Sequence, residues 1–193
     1  MALLHRLAQS PVIAAVRSPE YMEEALHSKA ANLFIMGGSI SELQHMVQAA
    51  KERGKGTFVH LDLIRGLSSA DKESVLFIRD FVGADGIITP KNHLIKEAKR
   101  LGVYAIFHLF IIDSHALSSS LALTQSAQPD AVEIMPGAIA KVVRHFSEQL
   151  EHIPIVASGL IETAEEAAET LQAGATAVSV SERSLWELTF EDL

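Results

Sequence analysis

The chain has 193 residues, 48% of them hydrophobic, and a mean hydropathy of +0.21, which is enough apolar surface to bury a substantial core. It contains no cysteine, which excludes disulfides and thiolate chemistry, and no apolar run approaches the roughly 18 residues that a membrane span needs. The N-terminal residues lack a long apolar stretch followed by a cleavage site, so we expect a cytoplasmic protein, with residues 1–193 forming one domain.

Eight strand-like apolar runs follow one another along the chain, and a helical segment fills each gap between them. The runs begin near Val12, Asn32, Thr57, Gly86, Val103, Ala131, Pro154 and Ala177. Strands that alternate with helices in this way predict a small (β/α)8 TIM-type barrel. The length is just under the usual range for that fold, so some helices must be short or missing, the last one in particular. An open doubly wound sheet is the rival, but no Gly-rich dinucleotide fingerprint supports it.

Local signals predict where two of the helices begin. Ser18 and Pro19 are typical of a cap and a first-turn proline after the first strand. Thr163 and Glu166 have the spacing of a capping box, and Gly174 predicts the end of that helix.

Charge is distributed unevenly along the chain, whose formal net charge is −8. Residues 51–100 carry ten basic and seven acidic groups, whereas the residues after 100 carry three and thirteen. We therefore expect a polyanion to bind the middle of the chain, around Lys51, Arg53, Lys55, Lys91, Lys96, Lys99 and Arg100. RNA is expected at the last three of these, on a helix beginning near Asn92. The alternative is an ordinary solvated helical surface. Aromatic residues make up only 6% of the chain, so a platform that stacks RNA bases is not expected.

The last two strands are followed by small polar residues. Ser158-Gly159 follows the apolar run Ile155–Ala157 and allows a sharp turn with exposed N–H groups, and Ser181-Glu182 follows the eighth run. In a (β/α)8 barrel these two loops form the commonest phosphate site. The sequence therefore predicts an anion site there, with Arg183 and Lys91 as charge partners. The alternative is that these are ordinary turn residues.

Polar residues end several of the other apolar runs and would converge at one face of a barrel. They are Arg17, Gly37-Gly38-Ser39, His60 with Asp62, Thr89 with Lys91, His108 and Glu133. His60 and Asp62 are two residues apart on one predicted strand, so both side chains should project to the same side.

Three interpretations of these groups remain open. The two histidines, with Asp62 and Glu133, could supply the ligands of a hydrolytic metal site. They could instead donate hydrogen bonds to, or accept them from, the hydroxyls of a small polyol whose phosphate binds the last two loops. They could also be a structurally satisfied polar group. We favour the second interpretation, with no catalytic residue, no metal and no cofactor.

Several short runs of the sequence match a known family in the same order. They are Pro11–Val16, Val59–Ile64 with Gly66-Leu67, Ala84–Ile88, Phe110–Ser114, Pro129–Gly137, Gly159–Ile161 and Leu185-Trp186. Over nearly its whole length the chain resembles the bacterial glycerol uptake operon antiterminator family, GlpP. That resemblance implies a barrel-like fold, glycerol 3-phosphate as effector, and binding to a leader mRNA so that transcription continues through a terminator.

The chain also departs from the family pattern at positions near the expected ligand site. Arg65 stands where an acid is usual, Phe107-His108 where Gln-Arg is usual, Ser158 where glycine is usual, and Val180 where threonine is usual. Histidine in place of arginine removes a fixed charge and a planar fork suited to phosphate. The effector or its affinity can differ for that reason.

The leading hypothesis is thus a glycerol 3-phosphate-responsive antiterminator that binds leader mRNA and is not an enzyme. The alternative is a barrel enzyme that hydrolyses a phosphate ester with metal assistance, and a third option is a diverged sensor without RNA activity. The fold alone does not choose among them, because barrels host many chemistries. The sequence leaves open whether copies of the chain assemble into a homo-oligomer.

Overall fold

The computed structural model describes residues 3–193, whose eight parallel strands form a closed barrel in sequence order. The strands are β1 Val12–Val16, β2 Asn32–Ile35, β3 Gly56–His60, β4 Gly86–Thr89, β5 Tyr104–Phe110, β6 Ala131–Met135, β7 Ile155–Ser158 and β8 Ala177–Val180. β1 pairs with both β2 and β8, which closes the sheet. The predicted (β/α)8 fold is confirmed, and each strand begins within one residue of its predicted start.

Helices connect the strands on the outside of the barrel. They are α1 Leu3–Leu7, α2 Met22–His27, α3 Ile40–Glu52, α4 Lys72–Phe77, α5 Asn92–Arg100, α6 Ser114–Ala127, α7 Ala140–Gln149 and α8 Ala164–Gln172. A π-helix, Ile78–Val82, continues α4, and 3-10 helices span Pro19–Tyr21, Leu61–Leu63 and Arg183–Glu187. After β8, only a short 3-10 helix remains, as the length of the chain predicts.

Local capping signals explain some of the helix ends. The capping box of Thr163 and Glu166 is present, and Gly174 has a φ of 109° just after α8, both as predicted. Ser18 differs from the prediction, because its side chain makes no capping hydrogen bond. Pro19 instead opens a 3-10 turn that leads into α2.

Two apolar layers hold the barrel together, and the alternation of each strand divides its residues between them. Side chains such as Val59, Phe107 and Val132 point outward and pack with the helices. Phe58 and Ile106, one residue earlier on their strands, point into the barrel. Inward-pointing residues recur at every second position, so the next ones along each strand lie nearer its carboxyl end. Polar side chains occur there.

Helix α1 closes the amino-terminal end of the barrel. Its Leu3 and Leu7 are buried within the inner layer. Its Arg6 forms an ion pair with Asp85, and the Asn32 side-chain amide donates to the Arg6 carbonyl oxygen at 2.8 Å. Because this end is filled, access to the barrel interior is from the carboxyl-terminal end. No helix within residues 3–193 is long and apolar enough to cross a membrane.

Candidate functional site

A cavity of about 720 Å³ opens at the carboxyl-terminal end of the barrel. Its walls come from residues that end the eight strands or lie in the loops that follow them. Of the residues that we predicted for the ligand site, those that line this cavity are His60, Asp62, His108, Ser158, Gly159, Ser181 and Glu182. The structure therefore brings most of the predicted ligand residues to one place.

Two histidines and a glutamate form a compact group at the floor of the cavity, which we call the His–Glu–His cluster (His60, Glu133 and His108). His108 Nδ1 lies 2.5 Å from Glu133 Oε2, and His60 Nε2 lies 3.3 Å from the same oxygen. The imidazole rings are 5.3 Å apart at 79°. Glu133 is fully buried, while His60 is 4% and His108 6% exposed.

The His–Glu–His cluster is incompletely satisfied. Glu133 Oε1 and His60 Nε2 are both buried and make no hydrogen bond within residues 3–193, although His60 Nε2 lies at an ion-pair distance of 3.3 Å from Glu133 Oε2. Buried polar atoms without partners are rare and costly, and they often mark a missing ligand or ion. These two atoms therefore point to a binding role for the cluster.

Electrostatics keep the buried carboxyl of the cluster ionised. Burial by itself raises the pKa of Glu133, but the coulombic effect of the neighbouring His60 and the hydrogen bond with His108 outweigh burial. The net result is a Glu133 pKa well below its ordinary value. A fixed negative charge thus sits at the floor of the cavity and orients both imidazoles.

Asp62 lies on the cavity wall, although not in the way that the sequence predicted. Strand β3 ends at His60, and Asp62 belongs to the 3-10 helix that follows, so strand alternation does not place the two side chains together. Asp62 instead contacts Lys91 Nζ at 3.4 Å and accepts a hydrogen bond from Thr89 Oγ1 at 3.4 Å.

Lys91 supports the wall from behind and does not line the cavity. Its Nζ donates to the backbone oxygen of Ser69 at 2.7 Å and to the Ser69 hydroxyl at 2.8 Å. Together with the 3.4 Å contact with Asp62, these bonds engage the ammonium group of Lys91.

The loops after β7 and β8, which we call the β7–β8 loops (Ser158-Gly159-Leu160 and Ser181-Glu182), present free donors to the cavity. Within residues 3–193, the backbone N–H groups of Gly159, Leu160, Ser181 and Glu182 donate no hydrogen bond. Gly159 has a φ of 81°, a left-handed conformation that aims the chain into this turn. Ser158 is the last residue of β7, is buried and pairs with Ser179 of β8, so its backbone position is fixed by the sheet. Free N–H groups in such an arrangement form an anion site.

Arg17 is a ligand candidate that the sequence analysis placed at a strand end but did not assign to the ligand. It follows β1, lines the cavity and is exposed. The β1–β8 register, in which Ala14 pairs with Val180, brings Arg17 beside the loop at Ser181. No ion pair of Arg17 occurs in the described part of the chain, so its guanidinium is available to an anion.

Arg183, in contrast, lies outside the cavity. The chain leaves β8 in a 3-10 helix, and Arg183 forms an ion pair with Glu24 at 2.6 Å and covers the Tyr21 ring at 4.8 Å. Its charge is therefore engaged on the outer surface. The Glu182 side chain accepts hydrogen bonds from Ser184, which lower the Glu182 pKa and direct its carboxylate to the start of that helix.

The predicted RNA surface, here the α5 surface (Lys96, Lys99 and Arg100), is exposed on the outside of the barrel. Its charge is lower than the sequence suggests, because Arg100 is paired with Glu97 at 2.5 Å. Lys99 donates to the carbonyl oxygen of Gln128. Lys96 has no ion pair or hydrogen bond within residues 3–193 and is the most available of the three.

An exposed aromatic residue lies on the element that continues α4. Phe81 is 68% exposed, and its ring stacks on Phe77 with centroids 5.8 Å apart at 20°. Arg79, on the same π-helix, is close enough to Arg100 for their charges to repel each other. Phe81 and Phe77 thus form a partly exposed aromatic pair on the segment that leads from α4 to β4.

Comparison with known proteins identifies the family. A family model described as glycerol-3-phosphate responsive antiterminator matches residues 12–186. The uncharacterized protein YgcP of Escherichia coli is 35% identical over 189 residues, which are 97% of this chain and 97% of that protein. This chain belongs to the glycerol-3-phosphate responsive antiterminator family.

Two solved structures support the same assignment. A glycerol uptake operon antiterminator regulatory protein from Listeria monocytogenes has a TM-score of 0.86 and 35% identity, over 91% of this chain and 94% of that one. A glycerol uptake operon antiterminator-related protein from Thermotoga maritima has a TM-score of 0.81 and 33% identity, over 93% and 99%. The predicted resemblance to this family is confirmed.

Proposed function

We propose that this protein is a cytoplasmic regulator that binds glycerol 3-phosphate at the barrel mouth and leader mRNA of glycerol-utilisation genes on its outer face. The observation that carries the proposal is a single cavity with two chemically different ends. One end offers free backbone N–H groups and a free guanidinium, and the other offers buried imidazole and carboxylate groups. A small molecule with a phosphate at one end and hydroxyls at the other complements both.

The phosphate end is the pair of β7–β8 loops. Backbone donors bind phosphate oxygens without the desolvation cost of a buried cation, and one nearby arginine adds charge and a planar fork. Arg17 supplies that fork from the neighbouring strand β1. Arg17 thereby takes the place of the predicted charge partners Lys91 and Arg183, whose side chains are bound to Ser69 and Glu24.

The hydroxyl end is the His–Glu–His cluster together with Asp62. A hydroxyl both donates and accepts, so it can pair with a carboxylate and an imidazole at once. The buried, unpartnered Glu133 Oε1 and His60 Nε2 are available for such bonds. A hydroxyl bound there would satisfy atoms that otherwise lack partners.

Calorimetric titration with three ligands tests this assignment. Glycerol 3-phosphate should bind more tightly than either glycerol or inorganic phosphate, because only it engages both ends of the cavity. Equal affinity for all three, or no binding by any of them, would contradict the proposal.

RNA binding is proposed for the α5 surface. Strands β4 and β5, beside α5, lie across the closed barrel from β8 and β1, and the acidic residues after position 160 lie on that far side. RNA is therefore attracted to one side of a protein whose net charge is −8. The exposed ring of Phe81 adds a surface on which an unpaired base can stack.

Binding of the leader transcript, measured by fluorescence anisotropy with and without glycerol 3-phosphate, tests the regulatory part. We expect salt-sensitive binding that the effector strengthens. An affinity for leader RNA no greater than that for an unrelated transcript would contradict it.

The second candidate is a phosphate-ester hydrolase, which the convergence of two imidazoles and a carboxylate favours. It predicts release of inorganic phosphate from glycerol 3-phosphate when a divalent metal is added. The regulator predicts that glycerol 3-phosphate is recovered unchanged. Phosphate release that is lost in Glu133→Gln would replace our proposal with the enzyme.

A further inference from the structure

The His–Glu–His cluster has a geometry that the binding of hydroxyls does not require. Both imidazoles direct a nitrogen at one carboxylate, and the three ligand atoms all lie within 4.8 Å of one another. A polyol would be served equally well by groups spread around the cavity. Three ligand atoms this close together are instead typical of groups that share one small ion.

The donor types also match a metal ion of a particular class. Two histidine nitrogens and one glutamate oxygen form the three-ligand set of open zinc sites, in which the fourth position is left for water or a ligand. Oxygen-seeking ions such as Mg²⁺ are bound mainly by carboxylates and water. The cluster therefore favours a divalent transition metal such as zinc.

The separations of the ligand atoms are near those that such an ion requires, since all three atoms lie within 4.8 Å of one another. With bonds of about 2.0 to 2.2 Å to a tetrahedral zinc, two ligand atoms lie about 3.3 Å apart. The His60 to Glu133 separation already has that value, 3.3 Å. The His108 to Glu133 separation of 2.5 Å is that of a hydrogen bond and must lengthen when a metal replaces the shared proton.

The surroundings hold the ligands and leave a way in. Phe34 packs edge-on to His60 with centroids 6.0 Å apart, and Phe110 packs edge-on to His108 at 4.3 Å. These contacts restrict the two imidazole rings. Both histidines also line the cavity, so a metal at this point would present its open position to the cavity and not to the packed core.

We propose that His60 Nε2, His108 Nδ1 and the Glu133 carboxylate form a binding site for one zinc-like divalent cation at the floor of the cavity. The free coordination position faces the proposed ligand space, where an oxygen of a bound molecule would complete the site. The inference stands on the geometry of the cluster and does not depend on the identity of the effector.

Zinc titration of the full-length chain, after dialysis against a chelator, tests this site. We expect one zinc per chain, and His60→Gln and His108→Gln should each weaken binding by more than the roughly 10- to 100-fold loss that follows removal of an outer-shell partner. His93→Gln is the matched control, because His93 is exposed on α5 and its side chain, among the described residues, forms a hydrogen bond only with the backbone oxygen of Ala70. It should leave zinc affinity unchanged.

A second measurement keeps the test decisive if a cluster variant fails to fold. Cobalt added to the unmodified, metal-free chain should give the visible absorption of a tetrahedral nitrogen and oxygen site, and zinc should displace it. Absence of that spectrum, or zinc binding that both folded variants retain, would overturn the inference.

Parallel titration of metal-free protein with glycerol 3-phosphate separates the two proposals. Effector binding without any metal binding would leave the proposed function standing and refute the metal site. Zinc binding without effector binding would do the reverse.

Discussion

Arg17→Gln should weaken the binding of glycerol 3-phosphate while leaving the binding of glycerol unchanged. Arg17 is the cation beside the β7–β8 loops that no carboxylate of the described chain neutralises. A hydrogen bond to a charged group contributes about 1.5 to 3 kcal/mol. Because Arg17 is exposed at the mouth, we take the lower end, about 1.5 kcal/mol, which is about a tenfold loss of affinity. Glycerol has no phosphate and should not sense the change.

Calorimetry on three variants makes the prediction specific. Arg17→Lys should recover part of the affinity, since it keeps the charge but not the planar fork. Arg183→Gln is the matched control, because Arg183 is engaged with Glu24 outside the cavity. If Arg17→Gln binds glycerol 3-phosphate like the parent, or if Arg183→Gln loses as much, the assignment of the phosphate end is refuted.

Three further predictions concern the hydroxyl end, the RNA surface and acid stability. Asp62→Asn should weaken effector binding by roughly 1 to 3 kcal/mol in the same assay, and unchanged affinity would remove Asp62 from the site. Charge reversal of Lys96, Lys99 and Arg100 should weaken RNA binding and flatten its salt dependence while effector binding is unchanged; equal binding at every salt concentration would exclude this surface. Folding lowers the pKa of Glu133, so the ionised carboxylate stabilises the folded state fully above the ordinary pKa of 4.5. This contribution to the free energy of unfolding is lost as the pH falls below that value. Glu133→Gln should therefore cost roughly 1.5 to 3 kcal/mol at neutral pH and reduce the acid sensitivity of urea unfolding, and an unchanged pH profile would contradict this role.

The two ends of the cavity bind a ligand with different kinds of groups, so substitutions affect them differently. The β7–β8 loops use backbone donors, which no side-chain substitution deletes. The His–Glu–His cluster uses side chains that depend on one another, so its single substitutions will not act additively. Binding studies on Arg17 and on Glu133 therefore report on independent parts of the site.

The architecture was predictable from the sequence, because each strand and some of the helix ends are encoded by neighbouring residues. Apolar runs of strand length mark all eight strands to within one residue of their starts. The capping box of Thr163 and Glu166 depends on a spacing of three residues and is present as predicted. The family, too, was recognisable from short runs in order, and the match over residues 12–186 confirms it.

Which side chains meet in the site depends on how the folded barrel aligns its strands. His108 and Glu133 are 25 residues apart in sequence, and they meet because the β5–β6 register makes them partners across two strands. Register in a parallel barrel is a property of the closed sheet, so no local pattern reveals it. Asp62 shows the same limit, since the strand ended at His60 and the expected alternation stopped there.

The sequence shows where charged residues are, but only the folded structure shows which of them are free to bind a ligand. The sequence located an excess of basic residues before position 100, but it did not reveal that Arg100 is paired with Glu97 or that Arg183 is drawn to Glu24, a residue 159 positions away. It likewise gave no sign that Arg17 would remain free beside the β7–β8 loops. The charge of a residue is a local property, whereas its availability depends on the partners that the folded chain brings within reach.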